Sequence, residues 1–174
     1  MKIRISLCIL LFMLVFPGIM AQDYSKLDKI DMKTQADYKK NESLVLECAN
    51  YILDSRIDDI NDDPNRQSAM EFIQRWMDGT PDYMFNIDES IGPLLNANPS
   101  LLYVYLAAMS KYVLEHKQNA DNDNEVKYNS FLIIINYCED SGHRVRMDQE
   151  LRNLIKAKDD NKLREYLHIP VTIV

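Results

Sequence analysis

The chain has 174 residues, 27 of them acidic and 20 basic, for a formal net charge of -7. An acid excess repels phosphate backbones and anionic lipid headgroups, so neither a nucleic-acid partner nor membrane binding through a basic surface is expected.

Lys2 and Arg4 open the chain, Ile5 to Phe16 is apolar apart from Ser6, and Pro17-Gly18 breaks that run ahead of Ala21. The pattern predicts a secretory signal peptide over 1–21, cleaved near Ala21 so that the mature chain begins at Gln22 in the periplasm or the medium. The apolar run is shorter than the roughly 20 residues a bilayer-spanning helix needs, and no second run of that length follows, so the mature chain is expected to carry no transmembrane segment. Cys8 precedes most of the apolar run, too early for a lipid-modified cysteine, so cleavage is expected to release the protein and not to anchor it. Without Lys2 and Arg4 the basic residues fall from 20 to 18 against 27 acids, and the charge moves from -7 to -9. The remaining 153 residues suit one domain that buries about two-thirds of its unfolded surface.

Residues 22–33 read as a polar, loosely ordered leader. A first helix is predicted from near Thr34 to Asp54, because Val45, Cys48, Ala49, Ile52 and Leu53 fall at i, i+3, i+4, i+7 and i+8. Asp58 to Asn65 is a loop by composition, and Pro64 or Asn65 can open the next helix. That helix repeats the spacing with Ala69, Phe72, Ile73, Trp76 and Met77 and stops at Gly79, which is expected to take the left-handed conformation common just past a helix end. Between about 82 and 88 a short extended segment places Tyr83, Phe85 and Ile87 on one side, as a strand or as an ordered loop.

A brief helix is predicted from Ser90 to Ala97. Leu101 to Leu114 is apolar on nearly every side, which marks a central, surrounded helix, with Ser110 and Lys111 among its few polar positions. Asp123 to Glu139 contains Phe131-Leu132-Ile133-Ile134-Ile135, which alone could be a buried strand; Val126, Tyr137-Cys138 and the total length tip it to a buried helix. Met147, Leu151, Leu154 and Ile155 form a further face, and a last short helix carries Leu163, Tyr166 and Leu167 before Pro170. The tail Val171 to Val174 reads as extended. The fold class is therefore all-α: a compact bundle of about six helices, or stacked helical hairpins, in a single domain over 34–174. The helix starts are too irregular for a tetratricopeptide-like array.

Phe72-Ile73-Gln74-Arg75-Trp76-Met77-Asp78-Gly79-Thr80-Pro81-Asp82-Tyr83-Met84-Phe85, with Ala107 to Leu114 and Tyr137-Cys138-Glu139, resembles a family of exported all-helical proteins of the Bacteroidota with no known activity. The likeness spans roughly Ala69 to Ile155. It implies a bacterial envelope or secreted location and supplies no site residues.

Candidate chemistry reduces to a few constellations. Asp59, Asn61 and Asp63 align to a calcium-binding EF-hand loop only with Pro64 where Gly is required and Met70 where the bidentate Glu belongs, and a second alignment from Asp121 puts Leu132 there. Both acidic stretches therefore read as solvated connections. His116, His143 and His168 lack metal-ligand spacing, and His116 and His168 sit near helix ends, where a cation complements the dipole. Cys138 with His143 as base would place a nucleophile on an apolar seam, where a thiol is inert. Glu47, Glu71 and Glu115 lack the Glu-x-x-His spacing of di-iron bundles and read as surface residues. No catalytic residue, metal or cofactor is expected.

Two cysteines remain after cleavage, too few for a disulfide scaffold, and Cys48 and Cys138 both fall on core faces. An exporting compartment permits a bond between them that would stabilise by roughly 4 kcal/mol; buried cysteines also serve as small apolar residues, and the sequence leaves the two alternatives open. The irregular aromatic turn Gly79, Thr80, Pro81, Asp82, Tyr83 and Phe85 is the expected contact surface, for another envelope or secreted protein. The leading functional expectation is a non-enzymatic exported interaction module; the alternative is a small-ligand carrier or hydrolase whose site is assembled from sequence-distant residues.

Overall fold

The computed structural model describes residues 24–58 and 62–170. The expected signal peptide and the tail Val171 to Val174 lie outside them. The described chain is all-α, with α1 (Gln35–Lys40), α2 (Glu42–Asp54), α3 (Pro64–Gly79), α4 (Gly92–Ala97), α5 (Leu101–Glu115), α6 (Asp123–Glu139), α7 (Gln149–Asp159) and α8 (Leu163–Tyr166) joined by short 3-10 turns. No strand occurs among the described residues. Nor is any described helix long and apolar enough to cross a membrane.

The starts of α1, α3, α6 and α7 are capped by short polar side chains that satisfy orphan backbone N–H groups. Thr34 and Asp37 cap α1 reciprocally. Asp63 accepts from the Asn65 N–H at 2.9 Å with Pro64 in the first turn of α3. Asn122 opens α6, and Asp148 opens α7 by accepting from the Leu151 N–H at 2.9 Å.

Central α5 packs against α2, α3, α4 and α6, which explains its apolar character on all sides. Leu101, Val104, Tyr105, Ala108, Met109 and Val113 are buried along it, and the Tyr105 ring meets Phe131 of α6 at 5.5 Å between centroids. Ser110 is buried with them. Phe131, Ile134, Ile135 and Cys138 of α6 are also buried, so the apolar run in that segment is a core helix, as its length indicates.

Three expectations require correction. The single helix from Thr34 to Asp54 is broken at Asn41, whose backbone sits at φ -92, ψ 0 and whose side-chain amide donates to the Asp37 carbonyl at 2.8 Å. An amide that bonds locally competes with the helical ladder, and α2 starts afresh. The loosely ordered leader is instead a 3-10 turn over Tyr24–Lys29 laid on α3. Tyr24 and Leu27, one 3-10 turn apart, are buried; Tyr24 stacks on Tyr51 at 4.8 Å, and Arg75 donates to the Leu27 and Asp28 carbonyls at 2.6 and 3.1 Å. Gly79, finally, is not left-handed: it lies inside α3, and Thr80 caps the helix with extended backbone.

At the carboxyl end of α2, Arg66 is fully buried and donates from Nη1 to the Ile52 carbonyl at 3.0 Å, while the Tyr137 hydroxyl donates to the Ser55 carbonyl at 2.8 Å. Arg66 adds a second donor to the Ile52 carbonyl, which already accepts from the Ser55 N–H at 3.3 Å, and Tyr137 satisfies the Ser55 carbonyl just past the helix end.

Candidate functional site

The segment that follows α3 runs from Thr80 to Asp88 without helix and is held at almost every second residue. Gln35 of α1 donates to the Asp82 carboxylate. The Tyr83 hydroxyl donates to Glu42 at 3.0 Å, and that carboxylate also accepts from Lys117. Tyr83 and Phe85 place their rings 5.5 and 5.7 Å from Trp76, in tilted aromatic contact. Asn86 donates to Asp123 at the start of α6, and Asp88 forms an ion pair with Lys127 at 2.7 Å.

Trp76 is fully buried, and its Nε1–H donates to the Tyr38 carbonyl at 3.3 Å. Tyr83 and Phe85, named from sequence as contact residues, are thus half-buried supports. The exposed apolar side chains are Met84, 70% accessible, and Ile87, 49% accessible. Alternation explains the exchange of roles at Met84: two inward rings on an extended stretch throw the residue between them outward. Thr80, Pro81 and Asp82 form the turn entering the segment, with Pro81 and Asp82 exposed.

Asp88 also borders an open cleft of about 950 Å³ between residues 88–94 and α6, α7 and α8. Phe131, Leu154 and Ala157 lie at its base, and the ring of Tyr166, the third exposed large apolar side chain, lies at its edge. Lys127, with only 15% of its side chain accessible, donates to Asp88 and to the Leu167 carbonyl, each at 2.7 Å. Burial pushes the Asp88 carboxyl up, but hydrogen bonds from Lys127 and Ser90 outweigh it and hold the group below its ordinary value of 3.8.

The remaining constellations stay apart. Cys48 and Cys138 are both buried free thiols, on α2 and α6, so they serve as small core residues. Burial, with smaller contributions from nearby carboxylates, pushes each thiol up to about 12. That shift is opposite to the one a nucleophile needs. His143 turns Nδ1 to the Tyr137 carbonyl at 2.8 Å and stacks on the Tyr137 ring at 4.1 Å, so it holds the α6 exit. His116 follows α5, its Nδ1 3.2 Å from the Tyr112 carbonyl, while His168 follows α8 and lines the cleft. Glu47 and Glu71 are exposed and Glu115 pairs with Lys111 at 2.6 Å. No three acidic, histidine or cysteine side chains among the described residues are grouped to hold a metal ion.

The cleft escaped sequence reading because its walls come from segments up to 80 positions apart, each with an ordinary amphipathic pattern. Comparison with protein-family models, with curated proteins and with solved structures finds no match to this chain.

Proposed function

We propose that this protein is exported and acts without chemistry of its own, by binding another envelope or secreted protein through the Thr80 to Ile87 segment. Met84 and Ile87 are the side chains that enter the partner. The observation behind this reading is that, of the three exposed large apolar side chains among the described residues, two stand on one non-helical segment whose neighbours are fastened to the core. Exposed apolar groups on a fixed support bury area on binding at little cost in conformational entropy. A signal-like N-terminus and an acidic surface agree with a partner met outside the cytoplasm.

A hydrolase reading draws less support. The thiol of Cys138 is protonated and enclosed, and the neighbouring imidazole of His143 is turned to a backbone carbonyl.

The test is a photo-crosslinker in place of Met84, introduced in the cells that make the protein. Irradiation should give one discrete adduct of higher mass, which Ile87→Ser abolishes and which the same probe at exposed Asn136 of α6 does not form. No adduct at Met84, or the same adducts at both positions, would overturn the proposal.

A further inference from the structure

We infer that the cleft bounded by α6, α7 and α8 receives an extended, uncharged peptide segment, one of whose backbone carbonyls accepts a hydrogen bond from Lys127. This rests on the protein-binding reading above and names how the partner enters.

Lys127 carries the argument. An ammonium has three N–H donors. Two are directed to Asp88 and the Leu167 carbonyl, and the group is largely withdrawn from water while still lining the cleft. A ligand oxygen that takes the third donor completes a charge-assisted set in a partly desolvated place, where such bonds are strong. The identity of that oxygen follows from its surroundings. A carboxylate or phosphate would sit against Asp88 on the same ammonium, in a cleft bordered by four carboxylates, Asp88, Glu89, Asp160 and Glu165, and three lysines, Lys127, Lys156 and Lys162. Like charges in contact disfavour an anion there, and the Lys127 ammonium disfavours a cation. A neutral carbonyl meets neither penalty.

The rest of the cleft suits a peptide. Lys156 pairs with Asp160 at 2.7 Å, whereas the carboxylates of Glu89 and Glu165 are free to accept from peptide N–H groups. Leu154, Ala157 and the exposed Tyr166 ring offer apolar contact to alternate side chains. A volume of about 950 Å³ lies at the upper end of the range of small-molecule sites, roughly 300 to 1,000 Å³, and the cleft is open along one side, as a chain passing through requires. It is also continuous with the proposed contact surface, because Ile87 immediately precedes Asp88 on its rim.

The experiment is selection of phage-displayed random heptapeptides on the immobilised full chain, followed by titration of the enriched peptides. Enriched sequences should be uncharged and rich in Val, Ile, Leu and Thr, and their affinity should fall by about tenfold, the loss of one charge-assisted hydrogen bond, in Lys127→Met. Tyr166→Ala should weaken binding as well. Tyr166 is 37% accessible and its hydroxyl donates only to Glu150, at 3.2 Å in an exposed hydrogen bond, so this variant is expected to fold, which keeps the test decisive if Lys127→Met folds poorly. Met84→Ser should leave peptide affinity unchanged. An absence of enrichment, selection of charged sequences, or binding indifferent to Tyr166→Ala and to folded Lys127→Met would overturn the inference. The Met84 crosslink is read independently of this selection, so failure of the cleft assignment is distinguishable from failure of the protein-binding reading.

Discussion

Tyr38 occupies the space in which a side chain on Gly79 would have to sit: a Cβ built there lies 2.0 Å from the Tyr38 hydroxyl oxygen and 2.6 Å from its Cζ. Gly79 therefore matters for what it lacks, not for a backbone angle, because any larger residue there forces the Tyr38 ring to shift. The contact fastens α1 to the end of α3, beside the hydrogen bond from Trp76 to the Tyr38 carbonyl.

Gly79→Ala is accordingly expected to destabilise by about 1 to 3 kcal/mol through overpacking, less the ~1 kcal/mol that alanine gains in a helix. In a Tyr38→Ala background the clash disappears and the same substitution should become neutral or stabilising. A double-mutant cycle in urea reads the coupling, and additive effects would disprove the steric account.

The inward and outward residues of the segment after α3 should separate cleanly. Tyr83→Ala and Phe85→Ala each remove a ring from Trp76 and are expected to lower stability by about 1 to 3 kcal/mol, whereas Met84→Ser and Ile87→Ser should stay within about 0.5 kcal/mol of the parent. Thermal midpoints decide the matter, with Trp76 fluorescence moving to longer wavelength only in the first pair.

Thiol counting tests both the core and the cleavage of residues 1–21. With Cys48 and Cys138 held near 12, the thiolate fraction at pH 8 is about one in ten thousand, so the native protein should resist an aromatic disulfide reagent for as long as it stays folded. In denaturant two thiols per chain should react if residues 1–21 have been removed and three if Cys8 is retained. One or none would establish a disulfide.

Alkaline stability follows from the same shift. Because the folded thiols ionise near 12 against an ordinary 9.0, the unfolded chain loses these protons first as pH rises. Their contribution is fully present below pH 9 and declines by up to about 1.4 kcal/mol per thiol for each pH unit between about 9 and 12. Burial raises Tyr24, Tyr51 and Tyr105 as well, so the loss steepens above pH 10. Urea midpoints between pH 8 and 11 should fall in the parent and fall less in Cys48→Ala/Cys138→Ala; parallel slopes would sink the explanation.

Arg66 should be replaceable. Its Nε and Nη2 groups are buried without a hydrogen-bond partner, so the single bond to Ile52 offsets little of the desolvation of the guanidinium. Arg66→Met, close in volume, is expected to be neutral or stabilising in thermal unfolding, while Arg66→Ala leaves a cavity and destabilises by about 2 kcal/mol or more.

The long apolar helices were legible because their patterns report burial directly: the bounds of α6 coincide with the sequence reading, and α5 differs by one residue. What escaped depends on partners far away in the chain. Nothing local in Tyr24 and Leu27 announces that Arg75 will hold their turn against α3, and Gly79 carries the composition of a helix end while serving as clearance for Tyr38. The irregular segment after α3 lies where composition places it, with Tyr83 and Phe85 turned to Trp76 and Met84 turned outward. Tyr83 and Phe85 are large enough to suggest a surface anchor, and only the position of Trp76 shows that they are directed inward.

The enclosure of α5 has a consequence for how this molecule comes apart. A helix with apolar residues around most of its circumference has no stable exposed state, and its cover is drawn from α2, α3 and α4 on the amino-terminal side and from α6 on the other. Neither half of the chain can shed the other without leaving α5 bare, so unfolding should be a single concerted event. Limited proteolysis should pass from intact chain to small peptides with no long-lived intermediate fragment.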